Sequence, residues 1–209
     1  MLNPIKTLAL LAICAAAPAF AQDQTSSGAP AAPDLNLGTT VNSDGTTEPQ
    51  VGQTYIKETF TDWSSRCLKT ADGKDPCQLY QLLKDSNGNS VAEISIFPLA
   101  SGAPAAAGST IVAPLETLLT KNLTLVVGTD QAKQYPFTFC NRAGCIARIG
   151  FTADEVDQFR KGATATLTLT PVATPNQPVS VEISLKGFTA GYASLPAPAP
   201  AAAPAASGN

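Results

Sequence analysis

Cysteine and carboxylate are the first candidates for chemistry in this 209-residue chain, which has five cysteines and no histidine. Without imidazole there is no Ser-His-Asp or Cys-His nucleophile, no His-ligated metal, and no side chain whose unperturbed pKa lies near neutrality. Four cysteines, Cys67, Cys77, Cys140 and Cys145, fall in the body of the chain, and Cys14 lies in an apolar N-terminal run. Three chemistries suit four cysteines: a zinc site, a redox-active pair, or two disulfides. A zinc site wants paired ligands about two to four residues apart, and the Cys67 to Cys77 spacing is too wide for that. A redox pair is usually Cys-x-x-Cys, whereas Cys140-Asn-Arg-Ala-Gly-Cys145 is longer, although Arg142 would lower a neighbouring thiol pKa. An even count in an exported chain favours disulfides. Of three connectivities, Cys67 with Cys77 and Cys140 with Cys145 is preferred, because each pair brackets a glycine-containing turn; spacing leaves the other two open.

Carboxylates offer a second chemistry. Asp154, Glu155 and Asp157 are close enough in sequence for acid/base work, but anionic residues at a helix N-terminus have a simpler structural role. Asp85-Ser-Asn87-Gly-Asn89 begins like a calcium loop, yet Ser90 and Ile96 stand where the loop's glycine and bidentate Glu belong. No glycine-rich phosphate loop and no Gly-x-Ser-x-Gly can be written. No metal or organic cofactor is expected. The net charge is −3, and with Lys6 removed in a signal segment it is 12 basic against 16 acidic residues, or −4. The basic residues are dispersed, so no nucleic-acid binding is expected.

The elements that must position these residues lie between two polar or small-residue ends. Residues 1–21 read as a secretory signal: Lys6, an apolar run from Thr7 to Ala17, and Ala19-Phe20-Ala21 as the cleavage site. That run falls short of the roughly twenty apolar residues of a membrane span, so no transmembrane anchor is expected. Residues 22–50 hold no aromatic side chain and read as a disordered leader; residues 196–209 read as a Pro/Ala-rich disordered tail.

Twelve of the thirteen aromatic residues lie between Tyr55 and Tyr192, which places one packed domain at 51–195. A first strand is expected over 54–69, with Trp63, Ser65 and Cys67 on one face. Cys77–Lys84 and Ser90–Pro98 flank the hairpin signal Asn87-Gly88. A small-residue loop spans 100–109, and Pro114 interrupts 110–119. Leu123–Val127, then Tyr135–Cys140 with Tyr135, Phe137 and Phe139 on one face, then Ile146–Phe151 read as strands. Thr152-Ala-Asp-Glu155 is a capping box opening a helix that Gly162 ends. Thr residues alternate with Leu167 and Leu169, and Val179, Val181, Ile183 and Leu185 form the inner face of a last strand. The fold class expected is all-β: an antiparallel β-sandwich, immunoglobulin-like or a partly closed barrel, with one short helix.

These segments, in this order, resemble the invasion-associated locus B family of small exported proteins of Gram-negative bacteria. The resemblance rests on Trp63-Ser-Ser-Arg-Cys67, Cys77-Gln78, Phe137-Thr-Phe-Cys140-Asn-Arg-Ala-Gly144-Cys145, the helix ending in Gly162, and Ser184-Leu-Lys-Gly187-Phe188-Thr189. It covers residues 60–195. One departure is Thr61, where the family often has Gly two residues before its Trp. The likeness implies a β-sandwich, a periplasmic or extracellular location, and a link to host-cell invasion in pathogenic members; it brings no catalytic motif.

The expected function is therefore an exported, non-enzymatic, disulfide-stabilised binding module with a protein or cell-envelope partner. Arg142 is the partner-binding candidate, because a stapled loop loses less entropy on binding. Two alternatives stay open: a periplasmic enzyme or thiol-redox protein using carboxylates or Cys140/Cys145, and an envelope chaperone or assembly factor with an exposed sheet edge.

Overall fold

The structure, a computed structural model, describes residues 47–196 and 198. The signal segment, the leader as far as residue 46, Cys14 and nearly all of the Pro/Ala tail lie outside the described residues. Eleven strands and two short helices follow in the order β1(Thr54–Phe60), β2(Trp63–Leu68), β3(Cys77–Lys84), β4(Ser90–Pro98), β5(Ala107–Ala113), β6(Leu123–Val127), β7(Lys133–Tyr135), β8(Phe139–Asn141), β9(Gly144–Phe151), α1(Ala153–Lys161), β10(Thr164–Leu169), β11(Val179–Ser184) and α2(Phe188–Ser194). They form two open antiparallel sheets, β1-β2-β3-β4-β5-β9-β8 and β11-β10-β6-β7. The protein is an all-β sandwich.

Local chemistry explains several elements as expected. The limits of β3 and β4 are those read from sequence, and Gly88 takes φ 85° between them. The Asp85 carboxylate accepts from the backbone N–H of Asn87 and of Asn89, each at 2.9 Å, closing the turn. In α1 the Thr152 hydroxyl accepts from Glu155 N and the Glu155 carboxylate accepts from Thr152 N at 2.8 Å, so the capping box is complete.

Four expectations change. The single strand over 54–69 is a tight hairpin, β1 and β2, turning at Thr61, whose φ is 54°. A β-branched residue gives no sequence signal for a left-handed turn. β5 starts at Ala107, inside the expected small-residue loop, because the Phe97 ring lies over Gly108; a Cβ there would sit 2.7 Å from it. The segment expected as one strand over 135–140 divides between the sheets, with β7 pairing β6 and β8 pairing β9. Pro136, which has no N–H to donate, stands at the crossing. A second helix, α2, closes the described domain. It follows Gly187 at φ 87° and has no side-chain cap, so its signature is packing alone: a Cβ on Gly191 would lie 2.5 Å from Leu79.

The core lies between the sheets. Trp63, Leu79, Ile94, Ile111, Phe151 and Ala147 from the larger sheet meet Leu123, Leu167 and Ile183 from the smaller. Phe188 joins the helices to it, 5.4 Å from Trp63 edge-on and 5.3 Å from Phe159 between ring centroids. Trp63 is fully buried, and its indole N–H donates to Ser184 O at 2.7 Å, so its polar atom is satisfied across 121 residues of sequence.

Candidate functional site: the outer face of the seven-stranded sheet

The four cysteines are joined as Cys67–Cys77 and Cys140–Cys145. Each pair occupies directly opposed positions on neighbouring strands, β2 with β3 and β8 with β9. In this state none is a thiolate able to ligate metal or attack a carbonyl.

Arg142 lies in the two-residue connection between β8 and β9, inside the loop closed by the second disulfide, and is exposed. The Asn141 side-chain oxygen accepts from Ala143 N at 2.9 Å, and Gly144, at φ 145°, leaves no room for a Cβ beside Ala113 O. Three devices thus hold this tip in one shape: a disulfide, an Asx turn and a required glycine. Arg142 itself makes no ion pair among the described residues.

The hairpin stands at one corner of a broader surface. Alternate residues of β2 to β5 and β9 point away from the core, and their registers align them in rows. Leu82, Glu93, Val112, Ile146 and Phe139 form one row across five strands. At about 4.8 Å between strands it is roughly 19 Å long. Its two ends are open: Leu82 is 39% and Phe139 43% exposed. The next row is Ser64, Tyr80, Ser95, Thr110 and Arg148.

Arginine and aromatic side chains pair on this face. The Arg66 guanidinium lies 3.7 Å from the centre of the Tyr80 ring, and Arg148 lies 5.5 Å from that of Phe139. Such contacts contribute about 0.5–1 kcal/mol when exposed and more when desolvated. Arg66 also reaches Glu93 at 3.5 Å and Ser95 at 3.4 Å. Partial burial, reinforced by the Glu93 charge, raises the Tyr80 pKa, so the phenol stays neutral near pH 7. The face offers cations, hydroxyls and aromatic edges together, a composition enriched at protein interfaces.

The carboxylates have structural work. Glu155 is buried; one oxygen accepts from Lys133 at 2.6 Å and lies 3.5 Å from the Tyr135 hydroxyl, and the other caps Thr152 N. Burial pushes the Glu155 pKa up, but the hydrogen bonds from Lys133 and Thr152 together outweigh it and hold the carboxyl below its ordinary value. Burial, with the Glu155 charge behind it, pushes Tyr135 up to about 12. Asp157 pairs with Arg160 at 2.8 Å on the surface of α1. Lys133, Tyr135, Thr152 and Glu155 line a cleft of about 310 Å³ beside β7, together with Asp130 and Asp154 but not Asp157; both oxygens of Glu155 already have partners.

Arg66, Tyr80, Glu93, Phe139 and Arg148 carry the surface, and sequence reasoning missed it as a surface. Arg66 and Phe139 stand within distinctive segments, yet strand register alone puts their rows side by side. No helix of the described residues is long and apolar enough to cross a membrane.

The comparisons with known proteins agree with this architecture. A crystal structure of invasion associated protein B from Bartonella henselae aligns with a TM-score of 0.55 at 24% identity, covering 66% of this chain and 92% of that one, and supports the fold. Invasion protein B homologs of two Brucella abortus strains, 2308 and 9-941, are each 27% identical over 139 residues, 66% of this chain and 78% of theirs. The model of the family described as invasion associated locus B (IalB) protein matches residues 63–196, from the buried Trp63 through both disulfides to the end of α2. With that match spanning most of its length, the chain belongs to the invasion associated locus B family.

Proposed function

We propose that the protein is an exported, non-enzymatic binding module of the cell envelope or cell surface, and that it meets its partner with the outer face of the seven-stranded sheet. The observation that carries this reading is the row from Leu82 to Phe139, which leaves apolar and aromatic side chains open beside Arg148 and the stapled Arg142 tip. A rigid tip with an exposed arginine loses little entropy on docking. Export follows from the signal read over residues 1–21, with the exported domain at 51–195. The relatives' names supply the invasion context: the partner is a protein of the envelope or of a host surface.

The alternative of strand addition has a specific observation against it at β1, one of the four sheet edges. The free edge β1 carries a bulge between Ile56 and Glu58 and exposes Lys57 and Glu58, features that oppose edge pairing. The enzymatic alternative finds its cysteines paired and both oxygens of Glu155 already engaged.

Site-specific photocrosslinking in the native envelope tests the reading. A photoreactive residue at Leu82, Phe139 or Arg142 is expected to give a discrete adduct that the same residue at Ser180, on the other sheet, does not. Adducts of equal yield from both faces would remove the outer face as the docking surface. Mass measurement of the exported chain, expected to begin at Gln22, tests the export step.

A further inference from the structure

At the end of the outer face nearest Cys67–Cys77 lies a cleft of about 890 Å³, bordered by Lys57, Arg66 and Lys74, with Leu68 and Phe97 as apolar walls and Pro196 and Pro198, where the tail begins, on its rim. Its donors outnumber its acceptors. Asp75, the only carboxylate in the lining, already accepts from Tyr55 at 2.8 Å, from the Thr70 backbone and hydroxyl at 2.8 and 2.9 Å, and from Lys69 at 3.4 Å. Among the described residues neither Lys57 nor Lys74 has a carboxylate partner, and the Nε of Arg66 is buried without an acceptor. This is a cationic, partly apolar cleft on a chain of net charge −3.

The complementary segment is the chain's own. Residues 22–50 contain Asp23, Asp34, Asp44 and Glu48 and no lysine or arginine. Within them Asp34-Leu-Asn-Leu37 alternates, so an extended backbone puts Leu35 and Leu37 on one side and Asp34 on the other. The segment arrives at the right place. Gly52 N donates to Lys69 O at 2.9 Å and Lys69 N to Gln53 O at 2.8 Å, tying the entry to β1 against the 69–76 loop that walls the cleft. Thr47 stands thirteen positions beyond Asp34, a reach of up to about 43 Å when extended.

We propose that this cleft seats the acidic leader, with Asp34 and Asp44 toward Lys57, Arg66 and Lys74, and Leu35 and Leu37 toward Leu68 and Phe97. Seated there, the leader gains the apolar burial that it lacks alone, and it covers one corner of the outer face whether or not that face has a partner.

Zero-length carbodiimide coupling on the full chain, with isotope-labelled and unlabelled chains mixed, tests the proposal. Amide links from Asp34 or Asp44 to Lys57 or Lys74 are expected within one chain, falling several-fold at about 1 M salt, where screening reaches about 3 Å. Links between labelled and unlabelled chains, links from the Asn209 terminus instead, or no leader link at all would each overturn it. The Asp34→Asn/Asp44→Asn variant leaves the domain sequence intact, and amide hydrogen exchange over residues 66–78 is expected to rise at least threefold. Exchange unchanged from the parent chain also overturns the proposal.

Discussion

The side chain of Gln81 on β3 pairs with the backbone of Ser184 on β11 in both directions: its Nε2 donates to Ser184 O at 2.9 Å and its Oε1 accepts from Ser184 N at 3.0 Å. The same Nε2 reaches Asp62 O at 3.1 Å. One buried amide therefore does the work of a neighbouring strand, joining the edge of the smaller sheet to the β1–β2 turn. Gln81→Leu keeps the size and removes all three bonds. Since each buried group left unpaired costs about 1–3 kcal/mol, a loss of about 2–4 kcal/mol is expected in urea unfolding. A loss under about 0.5 kcal/mol would show that water replaces the amide.

Thr61 turns the β1–β2 hairpin at φ 54°, a conformation costing an L residue about 1–2 kcal/mol. Thr61→Gly relieves that cost and gives back part of it through the freer unfolded chain. A net gain of about 0.5–1 kcal/mol is expected, read as a rise in thermal midpoint. A drop would mean that the threonine side chain supports the turn.

The two disulfides close loops of different length, at sequence separations of 10 and 5. By loop entropy, Cys67→Ser/Cys77→Ser is expected to cost about 3 kcal/mol and Cys140→Ser/Cys145→Ser about 2 kcal/mol. Thiol titration of a chain begun at Gln22, which lacks Cys14, denatured but not reduced, should find no free thiol. Two free thiols would return the Cys140/Cys145 pair to redox chemistry.

Glu155 and Tyr135 set opposite limits in pH. The Glu155 pKa is lowered in the folded state, so its contribution is full above the ordinary carboxylate value near 4.5 and is lost as pH falls through the folded value. Tyr135 is raised from 10.0 to about 12, so its contribution is full below pH 10 and is lost as pH rises toward 12. Lys133→Met removes the hydrogen bond that lowers the Glu155 pKa. Acid unfolding of that variant should therefore begin at a higher pH, while Tyr135→Phe should flatten the alkaline limb. Unchanged acid and alkaline limbs would show that the cluster does not govern either.

Features written by neighbours along the chain were legible. The Asn87-Gly88 turn, the Thr152/Glu155 capping box and the short Cys140–Cys145 loop each depend on residues within a few positions, where backbone geometry and one hydrogen bond decide the outcome. Thr61 was not legible as a turn because its residue type argues against the conformation it holds. The uncapped helix α2 was hidden for a related reason: a glycine inside it reads as a helix breaker, and only the close approach of Leu79 makes glycine necessary.

By itself the sequence determined an all-β domain between polar ends, four cysteines spaced for two short loops, and a family. Tertiary structure alone decided that the 135–140 segment crosses between sheets, that Leu82 and Phe139 end one row, and that Lys57, Arg66 and Lys74 border one cleft. The reason is physical. Period-two patterning says which side of a strand is buried, but which strands lie together is settled by long-range contacts such as the hydrogen bond from buried Trp63 to Ser184 O, 121 positions apart.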